Sequence, residues 1–108
     1  MLNSILINTL NAQLPPLHAE DNNPDPIAWI RLWEHDSTTN WYLYEGEKIR
    51  DECGFVTDFH IHALRVSEHG LQQEYWSLKE LLEQPVVVRY DLGWRPLLLS
   101  EVRARHNA

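Results

Sequence analysis

Gly54-Phe55-Val56-Thr57-Asp58-Phe59-His60-Ile61-His62-Ala63-Leu64-Arg65 decides the fold. The run is rich in β-branched and aromatic residues, with Cys53-Gly54 before it and a Ser67–Gly70 turn after, so one long strand is expected over 54–65. Alternation divides it into two rows. Phe55, Thr57, Phe59, Ile61 and Ala63 form a core face. Val56, Asp58, His60, His62 and Leu64 form the other, which sets one acid and two imidazoles side by side.

On the N-terminal side of this strand, Glu47–Glu52 reads as a charged loop and Trp41–Glu45 as a strand. The turn cluster Asp36-Ser37-Thr38-Thr39 joins that strand to another at Ile27–His35, which is apolar in both of its rows. On the C-terminal side a short strand over Leu71–Trp76 leads into Ser77-Leu78-Lys79-Glu80. That tetrad is a capping box, with Trp76 placed to staple onto Leu81. A helix is therefore expected from Leu78 to Gln84, where Pro85 stops it. Val86–Tyr90 is a return strand, Asp91-Leu92-Gly93 a turn, and Leu97–Arg105 a helical turn or two. At the start of the chain, Ile5, Leu6, Leu10 and Leu14 outline a short helix over residues 4–13, capped by Asn3 or Ser4 and ended by Pro15-Pro16. The polar stretch His18–Pro26 is a connection whose acids Glu20, Asp21 and Asp25 lack the spacing of a calcium loop. The expected architecture is α+β: an antiparallel meander of about four strands, a short N-terminal helix, one capped helix and a return strand.

A chain of 108 residues forms a single domain, 1–108, with its helix in 1–13, its connection in 18–26 and an α+β core in 27–108. A hydrophobic share of 44% with five tryptophans supplies a core without covalent staples. The lone Cys53 excludes an intrachain disulfide and a thiolate-built zinc site, and is expected as a small buried residue at a strand end. Met1–Gln13 lacks the basic start and cleavage site of a targeting signal, and no stretch approaches the ~20 apolar residues of a membrane span. A cytoplasmic protein with no membrane partner is expected. The net charge of −7 repels phosphate backbones, so no direct nucleic-acid partner is expected, and it favours a partner with a basic surface. Phosphate-binding glycine loops, nucleophile elbows and zinc-protease motifs are all missing from the sequence, so nucleotide-dependent and acyl-transfer chemistry are not expected.

Several landmarks fall in a consistent order over about residues 14–102. They are Leu14-Pro15-Pro16-Leu17, Asp25-Pro26, Trp41-Tyr42 with Glu45, Gly54-Phe55-Val56, Glu74-Tyr75-Trp76-Ser77-Leu78-Lys79-Glu80-Leu81, and Arg89-Tyr90-Asp91-Leu92-Gly93-Trp94-Arg95-Pro96-Leu97 running to Ser100-Glu101-Val102. In these the chain resembles the domain-of-unknown-function family 2958, small proteins of plasmids, integrative elements and phages. The chain departs from that pattern at Leu71-Gln72-Gln73-Glu74, where the family shows Glu-Leu-Gly. The Asp58-His60-His62 row also lies outside the pattern. The resemblance implies a mobile-element habitat and transfers no catalytic residue.

Two sites follow from the residues. The acids Glu45, Glu47, Asp51 and Glu52, with Tyr42 and Trp94 as aromatic anchors, are expected to form a docking surface for a basic host protein. Asp58, His60 and His62 are the alternative, a divalent-metal site such as one for zinc, completed by His35, Glu45 or His69, which would make the chain a small metal-binding protein or a metal-dependent hydrolase. The wider aromatic set Trp29, Trp33, Trp41, Tyr42, Tyr44, Tyr90 and Trp94 is expected mainly in the core, leaving base stacking beside Arg31, Arg89 and Arg95 a lesser reading. An open edge at 71–76 or 86–90 is a route to a homodimer. The functional expectation is a non-catalytic accessory protein of a mobile element that acts through protein–protein contact. Its most specific form is an acidic inhibitor of a host defence or nucleic-acid-handling protein.

Overall fold

Strand pairing sets the architecture, which is α+β. The computed structural model describes residues 4–19, 21–35, 37–84 and 87–107, without the side chains of 4–7, 11 and 107. The cap expected at Asn3 or Ser4, the side chains of Ile5 and Leu6, and Glu20, Pro85 and Val86 lie outside the described residues. In chain order the elements are α1 (Ser4–Gln13), β1 (Ile27–Ala28), β2 (Ile30–Glu34), β3 (Asn40–Arg50), β4 (Val56–Ser67) and β5 (Gly70–Ser77). They continue with α2 (Leu78–Leu82), β6 (Val88–Tyr90), β7 (Leu97–Leu98) and α3 (Leu99–Asn107). Strands β2 to β5 form the expected meander, and β6 returns to the far edge beside β2. The result is an antiparallel sheet of order β5-β4-β3-β2-β6.

Both faces of this sheet are covered at its centre. Leu10 of α1 and Leu78 and Leu81 of α2 pack with Ile30, Leu32, Trp41, Leu43, Phe59, Ile61 and Ala63 on one face. On the other, Leu99 and Val102 of α3 pack with Ala28, Tyr42, Tyr44, Leu64 and Val66. The row that begins with Asp58 therefore passes under α3 at Leu64 and emerges into solvent only at its other end. Among the described residues no helix is long and apolar enough to cross a membrane.

The helix ends show how side chains fix the topology. Ser77 caps α2, its hydroxyl accepting the Glu80 N–H at 3.2 Å as the capping box predicts. That hydroxyl then donates to the Asp58 carboxylate, which also accepts the Lys79 N–H at 2.9 Å, so β4 holds the first turn of α2. The start of α3 is capped from far along the chain. Leu99 donates its N–H to the Pro26 carbonyl and Ser100 to the Asp25 carboxylate, at 2.9 and 2.8 Å. This contact orders the His18–Pro26 connection against the sheet.

The structure departs from the sequence expectations in five places. Glu47–Arg50 is strand rather than loop, because β4 supplies ladder partners to exposed charged residues as readily as to apolar ones. A register shift opposite Arg50 leaves Thr57 unpaired, and Val56 takes the core side while Phe55 and Thr57 face solvent. The strand expected over Ile27–His35 breaks at Trp29, and Ile27–Ala28 pairs instead with Leu97–Leu98. Helix α2 ends at Leu82 with Glu83 as its C-cap, short of Gln84. Cys53 is exposed at the hairpin tip, not buried.

Candidate functional site

A bulge in β3 builds the most polar part of the interior. The β3–β4 register slips between Leu43 and Glu45, leaving Tyr44 as the extra residue. Tyr44 and Glu45 consequently both face the sheet side that carries His62. Glu45 lies opposite His62 in the ladder and is 1% exposed, and its Oε1 is 3.0 Å from His62 Nδ1. A carboxylate taken this far out of water needs a donor, and the imidazole supplies one. The His62 ring is fixed on both sides: Tyr75 of β5 stacks on it at 3.9 Å between centroids, and Tyr44 tilts against it at 4.5 Å.

The connection closes over this group. His18 stands in the left-handed region at φ 67°, with Nδ1 3.2 Å from Asp21 Oδ2 and its ring beside Tyr75. Asp21, Glu45, His62 and Tyr44 line one cleft of about 450 Å³, with Asp25, Ser100 and Arg103 at its α3 end. The Tyr44 hydroxyl is buried and has no hydrogen-bond partner among the described residues. Burial first, then the nearby Glu45 charge, pushes its phenol well above the ordinary tyrosine range. At Asp25 the hydrogen bonds from Ser100 hold the carboxyl below its usual value.

Asp58, His60 and His62 share a strand face, but their donors do not converge. Asp58 is committed to Ser77, to the Lys79 N–H and to the Phe59 N–H at 2.7 Å. Burial pushes its carboxyl up, and those hydrogen bonds, with His60 adding to them, outweigh it and leave the group below 3.8. His60 is exposed beside Glu47 and Ser77, and His62 turns to Glu45. Of the residues considered to complete that row, Glu45 alone lies beside it. His69, in the β4–β5 turn, and His35, after β2, sit toward the opposite end of β4. Among the described residues, the His/Asp/Glu group whose donor atoms all lie within 4.8 Å of one another is His18, Asp21 and Glu45. Its two loop members belong to the polar connection, which is held before His18 by the Gly46 N–H on the Pro15 carbonyl and after Asp21 by Asp25-Pro26 at the start of α3.

The docking residues expected from the sequence separate into two groups. Tyr42 and Glu45 are internal, which removes them from the surface. Tyr42 is 4% exposed, packs against Trp94 at 5.3 Å between centroids and bonds His106 Nε2 at 2.7 Å. Trp94 is half-buried and donates its indole N–H to the Ala28 carbonyl. Glu47, Asp51 and Glu52 are exposed at the β3–β4 hairpin, and the structure adds Phe55 to them, 70% exposed. The tip is tightly tied. Asp51 exchanges backbone contacts with Phe55 and Gly54, and its carboxylate accepts the Cys53 and Phe55 N–H groups at 2.9 and 3.0 Å. Gly54, at φ 86°, supplies the left-handed residue that the turn requires, and Arg50 donates to its carbonyl.

Comparison of the chain with models of known protein families, with curated proteins and with solved structures gives no match.

Proposed function

We propose that this protein acts by docking onto another protein through the tip of its β3–β4 hairpin, and carries out no chemistry of its own. The observation that carries this reading is Phe55, an aromatic side chain held out in solvent by a loop whose backbone is already tied down. An apolar ring at 70% exposure gains most by being covered, and a preordered loop loses little entropy when it binds. Asp51 and Glu52 share its turn and Glu47 lies farther along β3, opposite His60, and the chain carries a net charge of −7. Both features suit a partner with an apolar pocket in a basic surface, and both disfavour direct contact with nucleic acid. The resemblance to the family 2958 pattern supports placing the protein on a mobile element. The most specific form of the reading is an inhibitor of a host defence or nucleic-acid-handling protein, acting in the cytoplasm.

The test is capture from host lysate by the wild type, Phe55→Ala and Leu92→Ala, at low and high salt. Leu92 is a comparably exposed apolar residue in another turn. The reading expects a basic protein retained at low salt by the wild type and Leu92→Ala, and lost with Phe55→Ala. Equal capture by all three proteins contradicts it. A homodimer through the open edge of β5 is a separate proposal, checked by sedimentation across a concentration series.

A further inference from the structure

The cleft beneath the His18–Pro26 connection plays no part in docking through the hairpin tip, and its donor set has a chemistry of its own. We propose that it binds a divalent transition-metal ion through His18, Asp21 and Glu45, with His62 holding the Glu45 carboxylate in place. The donors are within 4.8 Å of one another, and ligands about 2.0–2.2 Å from a shared ion stand roughly 3–4 Å apart, so small side-chain rotations bring them together. They come from two separate elements, the connection and β3, and therefore act as a clasp between them. Glu45 is the anchor. It is buried, and His62 reaches it at 3.0 Å, the arrangement by which a neighbouring group orients a ligating carboxylate.

An independent observation points the same way. Tyr44 lines the same cleft as Asp21 and Glu45, its residue is 3% exposed, and among the described residues no group satisfies its hydroxyl. A buried hydroxyl in this condition calls for a water or a ligand. An ion held by His18, Asp21 and Glu45 would bring its bound water into the cleft that Tyr44 lines. The donor set also selects the ion. One imidazole and two carboxylates are too few oxygens for calcium, which takes six to eight, and they suit zinc or manganese. Zinc binds such a site more tightly than manganese in the usual order of affinities.

The experiment is calorimetric titration of chelator-treated full-length protein with zinc, manganese and calcium chlorides, repeated on His18→Ala, Asp21→Asn and His60→Ala. His18 and Asp21 are exposed, so circular dichroism is expected to show both variants folded. The proposal expects one zinc per chain, weaker manganese and no calcium. His18→Ala and Asp21→Asn each lose at least about tenfold in zinc affinity, the order of loss seen for residues around metal sites, and His60→Ala binds as the wild type does. Absence of zinc binding to the wild type overturns the proposal. So does binding that survives His18→Ala and Asp21→Asn and vanishes with His60→Ala, which would put the ion on the β4 row instead.

Discussion

His62 and Glu45 face each other across the β3–β4 ladder because Tyr44 is the extra residue of a bulge, and they meet at 3.0 Å with the carboxylate almost wholly out of water. Without that bulge the register would slip by one residue and every side chain beyond it would change faces. The pair is thus a marker of correct strand register as well as a buried polar contact.

The two partners are not equivalent. His62→Ala removes a donor from a buried carboxylate and is expected to cost about 3 kcal/mol, the scale for breaking a buried pair. Glu45→Gln keeps a hydrogen-bonding side chain of the same shape and is expected to cost less. Urea unfolding of both variants decides the order, and an equal loss would show that the imidazole is not what sustains Glu45.

Asp58 ties β4 to α2, and its carboxyl is held below 3.8. A carboxylate with a depressed folded-state pKa contributes stability that is complete above the unfolded value. That contribution is lost as pH falls through the folded value. Asp58→Asn is therefore expected to lower stability at neutral pH by about 1 kcal/mol, the usual worth of a cap. It is also expected to flatten the acid limb of the melting-temperature profile. Parallel acid limbs for variant and wild type would contradict this.

Gly46 is required for space. A Cβ there would stand 2.9 Å from Leu14 Cδ1 and 3.1 Å from the His60 carbonyl oxygen, while the Gly46 N–H donates to the Pro15 carbonyl. The leucine tip can give way; the ladder carbonyl cannot. Gly46→Ala is expected to cost about 1–3 kcal/mol by overpacking, read from the shift in the urea midpoint. A stabilised variant would show that the Leu14–Pro16 segment does not lie against β3.

His106 closes α3 onto the sheet through Tyr42. Burial, and then the Arg31 charge, hold its imidazole below 6.5. The folded state thus favours the neutral ring. Its contribution is complete above the unfolded pKa and declines as pH falls below about 6.5. Hydrogen exchange, corrected for intrinsic rates, is expected to show α3 amides less protected at pH 5 than at pH 7, and His106→Ala to abolish the difference. Unchanged protection in the wild type would contradict it.

Local signals made the meander, the α2 cap and the core row Phe59-Ile61-Ala63 legible in the sequence. Alternation and capping act between near neighbours and leave a residue pattern. The bulge at Tyr44 leaves none, since neither Leu43-Tyr44-Glu45 nor the opposing His62-Ala63 contains a glycine or a turn residue. Glu45 accordingly reads as a surface acid although it is buried. Tyr42 reads as a surface anchor for a related reason: it is covered by α3, whose sequence suggests only a turn or two. The connection that brings His18 and Asp21 to Glu45 is held by Gly46 on Pro15 and by Asp25-Pro26 capping α3 near Ser100, contacts between distant segments that no short window contains.

The docking reading is tested most directly by placing a photo-crosslinking amino acid at position 55, and in a second protein at position 92, followed by irradiation in host lysate. The account predicts a discrete adduct with a basic protein from position 55, reduced by salt, and none with that protein from position 92. The same adduct from both positions, or none from position 55 at low salt, would contradict it.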